Sequence, residues 1–212
     1  MELSGTERTR HRRLREQGRS SRAALFAVLR AGFVCHLGVV LDGTPMVVPT
    51  VYGLDEDFLY FHGSVASRSL AGGQTVCVTV THVDGLVLAR SVFEHSVNYR
   101  SAMVYGLPRA LSGADKLAAL RVLSEHAAPG QWDYARRPSK KELAATSIFA
   151  LSLDEASVKI SEGPPGDGDG PDAALGLWAG VVPLETARRP PVPDPALPAG
   201  VDVPAHIRAL AD

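Results

Sequence analysis

The sequence predicts a mainly β protein with flanking helices, folded as an antiparallel, Greek-key-like barrel. Three observations predict it. Apolar residues alternate at a period of two over several short runs, Asp-Gly pairs punctuate those runs as hairpin turns, and no strand–helix–strand alternation of a nucleotide fold is visible. With 212 residues, 45% of them apolar, the chain can bury one sizeable core.

Residues 1–21 read as a basic flexible arm. Arg8, Arg10, Arg12, Arg13, Arg15, Arg19 and Arg22 crowd a stretch with hardly any apolar residues, so it has no face to bury. A solvated arm is one reading, and contact with an acidic partner or nucleic acid is the other. Ser20-Ser21 then supplies N-cap chemistry for a helix over 22–30, where Ala23, Leu25, Phe26, Val28 and Leu29 recur at helical spacing.

From Gly32 the period changes to two. Phe33, Cys35, Leu37, Val39 and Leu41 share one face of a strand, and Asp42-Gly43 turns the chain into Met46–Tyr52. A third strand over 58–62 follows the acidic turn 55–57. Beyond a Gly/Ser-rich loop come Thr75–His82, a second turn at Asp84-Gly85, Leu86–Ala89, and a long strand from Tyr99 to Leu111. A helix is predicted from Ser112 or Gly113 through His126, stopped by Pro129-Gly130. Ser139 and Glu142, three apart, have the spacing of a capping box that opens another short helix, and Thr146–Leu153 alternates as a last strong strand. The barrel domain therefore spans 22–162, and 163–212 is a Pro/Gly-rich extension expected to pack on it.

Charge and composition exclude several classes. Lys and Arg number 22 against 23 Asp and Glu, a net charge of −1, which removes the global basic field of a dedicated nucleic-acid binder. No apolar run approaches the ~18–20 residues needed to span a bilayer, and no signal peptide is visible, so a cytoplasmic protein with no membrane partner is expected. Cys35 and Cys77 sit inside strand-like runs and read as core thiols. The seven histidines form no cluster at ligand spacing, so no protein-ligated metal site is predicted; a single axial His to a haem would leave no such signature.

The stretch 59–70, Leu-Tyr-Phe-His-Gly-Ser-Val-Ala-Ser-Arg-Ser-Leu, runs from a strand through a Gly/Ser loop into a helix start. Backbone N–H groups, the hydroxyls of Ser64 and Ser67 and the guanidinium of Arg68 converge there, which is how a chain holds a phosphate. The bland alternative is that the serines cap a turn and Arg68 is solvated.

Four segments, in order, carry a family resemblance: Val47-Val48-Pro49-Thr50-Val51-Tyr52; the 59–70 loop; Asn98-Tyr99-Arg100-Ser101-Ala102-Met103-Val104-Tyr105-Gly106; and Thr146 to Asp154 with Lys159 beyond. Across roughly 22–165 the chain resembles the FMN-binding split β-barrels related to pyridoxamine 5′-phosphate oxidase, within them the branch of nitroimidazole-resistance flavoproteins. The resemblance implies an FMN cofactor, with a deazaflavin or haem as alternatives, held at the interface of a homodimer. It implies that Ser64, Ser67 and Arg68 bind the phosphate, that Pro49, Thr50 and Tyr52 line the isoalloxazine, and that Arg100 and Tyr99 approach the flavin of the other subunit. His62 matches the position over the flavin's substrate side and, with Tyr99, is the candidate proton donor. A His satisfied by a backbone carbonyl is the structural alternative, and it is favoured for His36 and His82, although either could ligate a haem. The implied activity is reduction of a small electron-poor or conjugated substrate, and the rival is a non-catalytic flavin, deazaflavin or haem carrier or sensor. Vitamin B6 oxidation is not expected, because Ser69 stands where the oxidases carry a Lys and their substrate-binding Arg and His set is not recognisable here.

Overall fold

The computed structural model describes residues 2–64 and 73–211, with Ser64 through its backbone alone. Among the described residues ten strands form one antiparallel sheet: β1 (Gly18–Arg19), β2 (Val34–Leu41), β3 (Thr44–Leu54), β4 (Phe58–Ser64), β5 (Val76–Leu88), β6 (Ser96–Gly106), β7 (Arg109–Ala110), β8 (Thr146–Ser152), β9 (Ala156–Ser161) and β10 (Gly180–Pro183). Their order is β1-β9-β6-β5-β2-β3-β4-β8-β7, with β10 joining β5. The sheet curls until β6 touches β8, so the mainly β split-barrel expectation holds.

Among the described residues five helices flank the sheet: α1 (Arg22–Arg30), α2 (Gly113–Ala127), α3 (Gln131–Tyr134), α4 (Lys140–Ala145) and α5 (Ala205–Arg208). The caps read from the sequence are present. Ser21 Oγ accepts from the Ala24 amide, and Ser139 and Glu142 close a reciprocal capping box. Among the described residues no helix is long and apolar enough to cross a membrane.

The alternation in each strand decides the core. Cys35, Leu37 and Val39 of β2, Leu59 and Phe61 of β4, Val76, Val78 and Val80 of β5, and Ala102 and Val104 of β6 point inward onto Leu25, Val28 and Leu29 of α1. A second cluster forms where α2 covers the outside of β4 and β8, burying Leu111, Ala119, Leu123, Ile148 and Ala150. Gly53 permits that approach, because a Cβ there would lie 2.8 Å from the Leu123 Cα.

Two expectations need correction. Asp84-Gly85 is not a hairpin turn; β5 runs on through it as one strand with a bulge between Val83 and Gly85. The small residue is needed for packing: a Cβ on Gly85 would meet Val181 Cγ1 at 2.9 Å and the Val182 carbonyl at 3.1 Å, where β10 lies alongside. The long strand drawn to Leu111 also breaks at Gly106, whose φ of 157° only glycine adopts readily, and β7 then pairs with β8.

The arginine-rich segment, expected to be mobile, lies against the barrel. Gly18 and Arg19 pair with Lys159 and Val158, and Leu3 donates its amide to the Ser20 carbonyl. Glu155 accepts from the Thr6 hydroxyl at 2.7 Å and from Arg8 Nε at 3.0 Å. Composition hid this because the carboxylate partner is some 150 residues away in sequence. The C-terminal extension packs on the barrel through β10, through Asp167, which accepts from the Arg90 and Ser91 amides and pairs with the Arg90 guanidinium, and through His206 on Gln131.

Candidate functional site

β3 and β4 bring the ring-lining and phosphate-loop candidates together. Their register pairs Tyr52 with Phe61, and Thr50 Oγ1 donates to the His62 carbonyl at 3.3 Å. The donor of Thr50 is thereby committed, and its lone pairs accept from no group among the described residues. In β4, Leu59 and Phe61 face the core and Phe58 and Tyr60 are covered by the α2 cluster, so His62, next on that second side, stands exposed at the strand end. Its ring has no hydrogen-bond partner among the described residues. The backbone of Ser64 then leads out of β4; Ser67 and Arg68 lie outside the described residues.

Strand alternation separates the three ring-lining candidates. Pro49 pairs with His36 and faces outward, whereas Thr50 pairs with buried Cys35 and faces in. Tyr52 is fully buried, its hydroxyl donating to the Leu29 carbonyl and its ring centroid 5.0 Å from that of His126. Burial drives the Tyr52 phenol well above its ordinary pKa. The expectation that Tyr52 lines a cofactor is therefore corrected: its side chain belongs to the core, because its pairing with Phe61 turns it there.

β6 divides its pair in the same way. Tyr99 faces outward with Ser101, Met103 and Tyr105, while Arg100 lies on the other side opposite His82. There Arg100 donates Nε and Nη2 to the two Asp84 oxygens, both at 2.8 Å. The expectation that Arg100 approaches a flavin meets a guanidinium already occupied by a carboxylate, a partner for which the sequence offers no signal. Arg100 holds the Asp84 carboxyl below its ordinary pKa through that hydrogen bond.

The histidines divide by their partners. His82 Nε2 donates to the Val28 carbonyl at 3.0 Å and His126 Nε2 to the Gly32 carbonyl at 2.8 Å; burial lowers the pKa of His126. His36 is exposed on the outer sheet face in one row with Pro49 and Thr79, and has no hydrogen-bond partner among the described residues. That outer face carries exposed Val34, Val47 and Met103. Toward its β9 side the arm closes over β5, β6 and β9, leaving a cavity of about 410 Å³ between Arg8–Arg13 and the row from Tyr99 to Tyr105. Sequence reading missed this cavity, since nothing local links residues 8–13 to β6. Among the described residues no group of three His, Cys, Asp or Glu side chains is arranged to hold a metal ion.

The chain matches the flavocytochrome Anf3 of Azotobacter vinelandii at 37% identity over 95% of each chain, with a TM-score of 0.90. It matches the FAD and heme binding protein of Mycobacterium smegmatis at 38% identity over 92% of this chain and 97% of that one, TM-score 0.88. A candidate 5-nitroimidazole antibiotic resistance protein of Bacteroides thetaiotaomicron shares the fold at 21% identity over 68% of this chain and 86% of that one, TM-score 0.57. No curated protein matches. The family model described as pyridoxamine 5′-phosphate oxidase covers residues 21–160, which with the two relatives near 40% identity establishes that the chain belongs to that family of split barrels.

Proposed function

We propose that the protein binds a flavin and a haem and works as a redox protein. The observation that carries this is the 37–38% identity, over more than nine tenths of each chain, to proteins described as a flavocytochrome and as an FAD and heme binding protein. The family resemblance implies FMN, with a deazaflavin or haem as alternatives; the relatives favour a flavin and a haem together.

The residues fit both groups. For a flavin, the exposed Pro49 edge and the exposed His62 share the outer side beside the strand that precedes Ser67 and Arg68, the phosphate-binding pair of the family pattern, while Thr50 faces the other side with its hydroxyl on the His62 carbonyl. For a haem, His36 is the ring that suits an axial position, being exposed on an apolar face with no competing hydrogen bond, whereas His82 is committed to Val28. Bound flavin supplies hydride or electron transfer to a small acceptor. His62 and Tyr99 are the side chains that would hold or deliver a proton there.

The reading includes a symmetric dimer. Tyr99 and Pro49 share the outer face but lie three strands apart, roughly 14 Å at the usual strand spacing, too far for both to meet one ring from a single chain. A second copy laid on the exposed Val34, Val47 and Met103 would bring its own Tyr99 to the flavin of the first.

The absorption spectrum of the purified, cofactor-reconstituted protein tests the proposal. Both a flavin band and a haem Soret band are expected. His36→Ala should lose the Soret band and keep the flavin, and Arg68→Ala should weaken flavin binding by about ten- to a hundredfold while keeping the haem. A protein that takes up neither cofactor overturns the reading.

A further inference from the structure

A helix that covers a barrel needs one apolar stripe, and α2 carries two. Ala119, Leu120 and Leu123 pack on the barrel side of α2, in the cluster that covers β4 and β8. Ala114, Leu117, Ala118 and Arg121, spaced i, i+3, i+4 and i+7, share the opposite side and line a cleft of about 520 Å³. Pro138, Leu143 of α4 and Trp132 of α3 complete that cleft. The packing of the barrel makes no use of this second stripe, and Leu117 stays 40% exposed.

The rim of the cleft carries charge. Arg137 lies on the Trp132 ring, its Cζ 4.5 Å from the centroid, and donates Nη2 to Asp133 Oδ1 at 2.9 Å. Arg121 Nη2 comes within 3.9 Å of the other oxygen of Asp133. One carboxylate therefore serves two guanidiniums, each still about half exposed. The excess extends beyond that trio: residues 109–142 hold seven Lys and Arg against four Asp and Glu, in a chain whose net charge is −1.

Short side chains along one helix, an indole beside them and a surplus cation at the rim suit a ligand that is flat and apolar at one end and anionic at the other. A neutral apolar ligand would leave the guanidiniums unused, and a bare anion would leave the apolar walls in water. The volume falls in the ~300–1,000 Å³ range of small-molecule sites.

We propose that this cleft binds a small aromatic carboxylate, its ring against Ala114, Leu117 and Ala118 beside Trp132 and its carboxylate on Arg121, with Arg137 as the second cation. None of these residues is among those assigned to the flavin or the haem, so the site stands or falls apart from that reading.

The test takes phenylacetate as the probe and the full chain carrying Trp178→Phe, which leaves Trp132 as its one tryptophan. Titration should give a saturable change in Trp132 fluorescence, with the affinity read by calorimetry. Phenylacetamide, which keeps the ring without the charge, and acetate, which keeps the charge without the ring, should each bind about tenfold more weakly or worse. Arg121→Gln should weaken phenylacetate about tenfold, raised salt should weaken it too, and Ala118→Leu, which fills the cleft, should abolish binding. Circular dichroism of each variant checks that the fold is intact. No saturable change, equal affinity for acetate or phenylacetamide, or full affinity in both variants overturns the inference. So does a smaller sedimentation coefficient for Leu117→Asp, because a cleft closed by a second copy of the chain is not open to a small ligand.

Discussion

Asp84 grips Arg100 with both carboxylate oxygens across the seam between β5 and β6. The same aspartate sits in the β5 bulge, and its carbonyl accepts from the Leu184 amide, so one residue ties a barrel strand to the C-terminal segment. Since Arg100 lowers the Asp84 pKa, the pair contributes fully above the ordinary carboxylate value near 3.8 and is lost as the pH falls through the lower folded value. Both side chains are about one third exposed, which discounts the pair for solvent screening. A double-mutant cycle with Asp84→Ala and Arg100→Ala should give a coupling of about 1 kcal/mol near neutral pH and none once Asp84 is protonated. Equal coupling at both pH values would remove the ion pair as its source.

Tyr52→Phe should destabilise the protein by about 1–2 kcal/mol, because the buried Leu29 carbonyl loses its donor with no water to replace it. Flavin affinity should be unchanged. Urea unfolding and a flavin titration on the same variant separate the two effects, and a flavin defect without a stability loss would return Tyr52 to the cofactor site.

Gly53→Ala should cost about 1–3 kcal/mol, since the added methyl group meets helix backbone rather than a side chain that can move aside. The unfolding midpoint reads it directly. A midpoint matching wild type would mean that α2 stands further from β3 than its packing on Gly53 implies.

Burial pushes the Cys35 thiol up to about 12. The native protein should therefore leave Cys35 unmodified by iodoacetamide at mildly alkaline pH, and denaturant should release it. Peptide mapping by mass spectrometry with and without denaturant gives the result.

Arg8, and after it the Thr6 hydroxyl, hold the Glu155 carboxyl below its ordinary range. With the folded value depressed, docking of the arm is at full strength above about 4.5 and weakens as the pH falls through that lower value. NMR shifts of residues 4–20, followed from about pH 6 to about pH 3, should report release of the arm, and Glu155→Gln should show the released shifts throughout. A wild-type profile in the variant would assign the docking to β1 alone.

What the sequence disclosed follows a physical division. Alternation in β2, the Asp42-Gly43 turn into β3, the Ser21 cap and the Ser139–Glu142 capping box are local rules, and each is found where the residues put it. Asp84-Gly85 misled because a bulge and a hairpin turn both favour a small, flexible pair; what distinguishes them here is β10 alongside, a segment about a hundred residues later. β9 alternates cleanly as Ala156, Val158 and Ile160, but six residues beside a turn give little signal. In the candidate site the residue types were legible and their orientations were not. Tyr52 inward and Pro49 outward, or Tyr99 outward and Arg100 on Asp84, are matters of register that one slip would invert.

The pairing of β10 with Gly85–Leu88 also sets an order of events during synthesis. β2 covers only Cys77–Thr79 on that flank of β5, so the far half keeps open backbone donors and acceptors until the residues up to Pro183 have left the ribosome. For the time taken to translate some ninety residues, a nascent barrel displays an apolar strand edge that another chain could occupy. Chaperone dependence in the cell, and aggregation when residues from Gly180 onward are deleted, are the consequences of lending the last strand from so far downstream.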